Sequence, residues 1–128
     1  MTKLQMPAAL VLILTAISCQ QLQGRPSAQV THMVVCWLKN PGDAHARQQL
    51  IDESKGFASI PGIIDVSAGP VLPSTRPAVD STFDVAIVMK FKDQPSLEAY
   101  GRHPQHLAAI ERTLKPLVAK YVIYDFVE

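Results

Sequence analysis

Five side chains in this sequence are equipped to hold or move a proton at a carbonyl compound: Tyr100, His103, His106, His32 and Asp125. An imidazole with an ordinary pKa near about 6.5 takes a weakly acidic proton at neutral pH, and a phenol donates a hydrogen bond to a carbonyl oxygen as it becomes an enolate. A carboxylate beside an imidazole holds one tautomer in place, a role open to Asp125. On a helical wheel His103, His106, Leu107, Ile110 and Leu114 fall within about 80°, so both histidines lie on or beside one apolar stripe. His32 shares a strand face with Val34, Cys36 and Leu38, and Asp125 shares one with Tyr121 and Ile123. With those faces turned toward the helices, His106 is the candidate base and Tyr100 the candidate hydrogen-bond donor. His32, His103 and Asp125 are then candidate pocket residues.

Each of these residues also has a purely structural reading. His103 precedes Pro104 and can cap a helix, His106 can be a satisfied core histidine, and Tyr100 can be an amphipathic core residue. Asp125 is the least expected of the set, because a carboxylate inside a strand needs a partner; His32 on a neighbouring strand is the candidate. His45 falls opposite Leu50 on its helix and reads as solvated. Two imidazoles three residues apart fall short of the three protein ligands of a catalytic zinc site, and no His-Glu-x-x-His pattern is present. No glycine-rich phosphate loop and no Ser-His-Asp or Cys-His arrangement occurs either, so neither metal nor organic cofactor is expected.

The surroundings of these groups are bounded by composition. The chain has 128 residues, 48% hydrophobic and 18% charged, with 12 Lys+Arg against 11 Asp+Glu. That length allows one small domain with a terminal extension, and the apolar content excludes a disordered chain. A net charge of +1 provides no basic surface for phosphates, so nucleic acid is not an expected partner. Two cysteines make no disulfide framework. Folding must rest on an apolar core.

Residues 1–18 read as a secretory signal: one cation, Lys3, then an uncharged run from Met6 to Ile17, too short for the roughly 20 apolar residues of a membrane-spanning helix. The stop at Ala16-Ile17-Ser18-Cys19 resembles a lipobox, with Cys19 lipidated and first in the mature chain. Ordinary signal-peptidase cleavage nearby is the competing reading. Removing 1–18 takes Lys3 away and leaves a formally neutral chain. Residues 19–29 then form a tether, and 30–128 the folded domain. The expected location is exported and membrane-anchored, on the periplasmic or cell-surface side. Cys36, without a partner, reads as a buried small hydrophobe.

The elements that must position the candidate residues follow from pattern. Thr31–Leu38, Ile63–Gly69, Phe83–Phe91 and Lys120–Val127 read as strands. Helices are expected over Ala44–Ser59, capped by Asp43, over Gln94–Tyr100, and from Pro104 until Pro116 disrupts the ladder. The irregular Pro70–Ser81 segment is long enough to overhang a pocket. The order strand, helix, strand, strand, helix, strand gives an α+β fold: a four-stranded antiparallel sheet with helices on one face, the ferredoxin-like plan. Strands one, three and four are apolar on both faces, so the face without helices is expected to pack against a second copy, forming a homodimer.

His32, Phe83-Asp84, the run from Tyr100 through His103-Pro104-Gln105-His106 to Leu107, and Tyr124-Asp125-Phe126 resemble the stress-responsive dimeric α/β-barrel family across about Val30 to Glu128. The Tyr-x-x-His-Pro-x-His run is the most specific element. The resemblance implies two sheets facing each other across a dimer axis as a barrel, and a small pocket in each subunit between sheet and helices. In a plant cyclase of that family, which closes a linear polyketide by aldol condensation without metal or organic cofactor, the acid/base tyrosine and histidine match Tyr100 and His106. Pocket positions match His32 and Asp125, whereas a third-strand histidine falls at Val85. Two functions are therefore expected: binding of a small apolar carbonyl ligand or, alternatively, a cofactor-free cyclase or isomerase using Tyr100 and His106.

Overall fold

The computed structural model describes residues 27–128; the expected signal segment, Cys19 and most of the tether lie outside the described residues. The chain runs β1 (Val30–Leu38), α1 (Ala44–Lys55), β2 (Ile63–Pro70), β3 (Val85–Phe91), α2 (Gln94–Gly101), α3 (Pro104–Ala109) and β4 (Val118–Val127). All strand neighbours are antiparallel, in the order β2-β3-β1-β4. This is the ferredoxin-like arrangement expected from the element order, with the helices on one face.

Helix starts are set by side-chain caps. Asp43 accepts from the His45 and Ala46 amides at 3.0 Å each, and Asp93 accepts from the Ser96 amide at 2.9 Å, satisfying donors that have no partner in the first turn. α1 is shorter than its apolar stripe predicts: it closes at Lys55 and tightens into a 3-10 turn, Gly56–Ser59, that still buries Phe57. Gly62 follows at φ +89, and a Cβ there would meet the Ser96 side chain at 2.5 Å, so only glycine lets the β2 entry lie against α2. The expected break at Pro116 begins earlier. α3 passes into a π-helical turn, Ile110–Leu114, before a last helical turn, Lys115–Leu117, that carries Pro116 and ends the run.

The core lies between the helices and the inner face of the sheet. Cys36, Val85, Met89 and Phe91 are at most 1% exposed, and the inner face of β1 carries His32, Val34, Cys36 and Leu38 as the alternation predicts. Asp84, 8% exposed, accepts from the amides of Leu38 (2.8 Å) and Gly42 (3.2 Å) and so pins the end of β1 to the start of β3. On the outer face Met33, Val35 and Trp37 alternate with these, and Tyr124 (57% exposed) and Phe126 (48%) continue the apolar surface on β4.

Candidate functional site

Between the inner sheet face and the helices lies a cavity of about 240 Å3, bordered among others by His32, Phe57, Met89, Tyr100, His106 and Ile123. An apolar cavity of about 150 Å3 accommodates benzene, so this one has room for a single substituted ring. Its β4 wall is the open side, where Tyr121 (52% exposed) and Ile123 (45%) meet solvent.

Tyr100 sits on α2 at the inner end, 4% exposed. Its ring packs edge-on against Phe57 at 5.6 Å and His32 at 6.0 Å and is tilted against Phe91 at 5.3 Å; the His106 ring lies across it at 4.1 Å with an interplanar angle of 34°. Burial raises the phenol's pKa, so the hydroxyl stays protonated and able to donate at neutral pH.

His106 reaches the same space from α3. Burial lowers its pKa below the ordinary 6.5, nearby His32 and His103 push in the same direction, and the Gly101 backbone opposes them. At neutral pH the ring is therefore neutral and carries one lone pair. Its Nδ1 is buried and makes no hydrogen bond of good geometry among the described residues, with the Gly101 backbone near enough to act on the ring. Phe57 meets the same ring edge-on at 5.8 Å.

His32 and Asp125 are register partners on β1 and β4, and Nδ1 and Oδ1 approach to 2.5 Å. The His32 ring lines the cavity, whereas the Asp125 carboxylate stands behind it, with its side chain 48% exposed. The structure thus brings His32, Tyr100 and His106 to one void, with Asp125 fastened to the outer nitrogen of His32. His103 stands apart. It caps α3, accepting from the Gln105 amide at 3.2 Å through Nδ1, and does not border the cavity.

One further expectation is corrected by the fold, and the Val85 departure from the plant cyclase keeps its meaning. The Pro70–Ser81 segment does not rim the cavity; the chain between β2 and β3 returns beside Trp37, whose Nε1 donates to Thr82 at 3.0 Å, on the outer side of the sheet. Val85 is fully buried away from the void, and the third strand faces it with Ile87 and Met89, so no third-strand imidazole contributes.

The sequence reading missed Glu53. It lies one helical turn from Leu50 and Phe57, and all three line the cavity. The i, i+3, i+7 spacing was visible, but the charge hid it among solvent-facing residues. Its carboxylate accepts from Arg112 Nη2 (2.6 Å) and Nε (3.1 Å) and from Thr113 Oγ1 (3.1 Å). The Arg112 hydrogen bonds lower its pKa, so it is ionised.

The sequence model of one protein family, described as the stress responsive A/B barrel domain, matches residues 30–128. No curated protein matches the chain by sequence. Solved structures share its fold. A Dabb family protein with a ferredoxin-like fold from Mesorhizobium loti is 24% identical, at a TM-score of 0.65 over 80% of this chain and 98% of that one. A dimeric ferredoxin-like protein of unknown function from Thermobifida fusca is 20% identical, at 0.65 over 80% and 92%. The hydroxynitrile lyase from Passiflora edulis is 19% identical, at 0.64 over 81% and 95%.

Proposed function

The chain belongs to the stress-responsive A/B barrel domain family, and from that premise we propose that it is an exported, lipid-anchored homodimer that binds a small, largely apolar carbonyl compound in the cavity between sheet and helices. The observation that carries the binding reading is the meeting of the neutral His106 ring and the protonated Tyr100 phenol, 4.1 Å apart, at one void otherwise walled mainly by apolar side chains. Such groups leave an apolar ligand one place to put a polar atom. Acetophenone, a single ring with one carbonyl, is the probe. Saturable binding, weakened about tenfold by Tyr100→Phe or His106→Ala, is the expected result. No saturable binding of acetophenone would leave the cavity a by-product of the fold.

The dimer is supported by the apolar outer face of β1 and β4 and by the dimeric state of the Thermobifida fusca neighbour. Export and anchoring rest on residues 1–19 alone. Cys19→Ala should abolish the processed, membrane-bound form; its persistence would contradict lipidation.

A second reading is proton transfer without a cofactor, as in a cyclase or isomerase. It is favoured by the protonation states: a neutral imidazole to take the proton next to a carbonyl, and a protonated phenol to steady the enolate oxygen. That the fold carries catalysis in the Passiflora edulis lyase adds to it. Exchange of the acetophenone methyl hydrogens in heavy water, followed by proton NMR, reads this step directly. His106→Ala should slow catalysed exchange by about 10² or more.

A further inference from the structure

We propose that Glu53 sets the charge selectivity of the cavity, which admits uncharged ligands carrying a hydroxyl toward α1 and turns carboxylates away. The inference rests on the ligand-binding reading above and names the class of ligand. Glu53 and Arg112 form a pair with a direction: Glu53, its side chain 18% exposed, is a residue of the cavity wall, whereas Arg112, its side chain 58% exposed, is not. The negative end of the pair therefore lies nearer the ligand and the positive end nearer water, where its charge is screened. No Lys or Arg is among the described residues that line the cavity, so an anion entering it lies nearer the Glu53 carboxylate than the Arg112 guanidinium that partly offsets it. In a void of low dielectric that repulsion is stronger than in solvent.

The same carboxylate can still accept. A carboxylate has about four acceptor positions. Arg112 and Thr113 occupy three of them, two on Oε2 and one on Oε1. The position left on Oε1 is a site for one donor, and a ligand hydroxyl supplies one without bringing charge. The carbonyl of the same ligand is directed to Tyr100 and His106 on α2 and α3, so the favoured ligand is a ring carrying both a carbonyl and a hydroxyl.

Three probes that differ only at one ring position test this by calorimetric titration: acetophenone, 3-hydroxyacetophenone and 3-acetylbenzoate. For the full protein the acetylbenzoate should bind at least tenfold more weakly than the hydroxyacetophenone. Glu53→Gln should narrow that ratio at least tenfold, because it removes the carboxylate and leaves Arg112 unneutralised. Arg112→Met should widen it, because the carboxylate remains and its cation is gone; this variant carries the test where Glu53→Gln fails to fold. Equal binding of the two substituted probes by wild type, an unchanged ratio in Glu53→Gln, or a narrowed one in Arg112→Met each overturn the assignment while acetophenone binding keeps the cavity a ligand site. Failure of all three probes to bind overturns both.

Discussion

His32 and Asp125 meet across the β1–β4 seam with Nδ1 and Oδ1 2.5 Å apart, so a cavity-lining imidazole is held from behind by a carboxylate half in solvent. The pair fixes which His32 nitrogen faces the cavity, because the one bound to Asp125 points away. Asp125→Asn keeps the shape but replaces a charge-assisted hydrogen bond with a neutral one. Because the carboxylate is half exposed, the loss should be modest, about 1 kcal/mol. Urea unfolding of the two proteins measures it; a loss within error would show the contact to be energetically idle.

Stability should fall as the solution is acidified through the histidine range. The His106 pKa is lower in the folded protein than its ordinary 6.5, mainly through burial. Between the two values the unfolded chain binds more protons, so the contribution is complete above about 6.5 and is lost as pH falls through the folded value. Midpoints of urea unfolding between pH 8 and 5 should decline for wild type, and His106→Gln should flatten that part of the profile.

The thiol of Cys36 should be inert. Burial pushes its pKa up to about 11, and the residue is fully enclosed beneath the helices. At pH 8 the native protein should leave Cys36 unmodified by a disulfide exchange reagent, and denaturant should release it; peptide mass spectrometry identifies the site. Rapid modification of the native chain would mean that β1 opens locally.

Val35 lies at the centre of the outer sheet face, paired with Ala86 on β3 and Val122 on β4. Val35→Glu should place an unpaired charge in a packed dimer contact and weaken association by about 10² or more, equivalent to about 3 kcal/mol. Trp37 is a poorer choice, since Lys120 Nζ lies 4.5 Å from its ring and could pair with an introduced acid. Sedimentation velocity reads the outcome, and a monomeric wild type would remove the dimer.

Position by position, the strands, the Asp43 cap and the inner face of β1 were legible because they depend on neighbours within a few residues: alternation for strands, a carboxylate one residue before a helix for the cap. The His32 and Asp125 contact was legible for a different reason. A carboxylate inside a strand needs a partner, and few polar groups on adjacent inner faces could supply one. Glu53 and the absence of Pro70–Ser81 from the cavity rim were not legible, and for His103 the sequence left the helix cap and the pocket both open. Periodicity assigns a side chain to a face, but whether that face borders a void depends on how α1, the π-helical turn before Pro116 and the open edge of β4 meet. That is a property of packing between distant segments. Local pattern therefore determined the elements and the inward set of His32, Tyr100 and His106, while the tertiary fold alone decided where the empty space lies and that an ionised carboxylate stands at its edge.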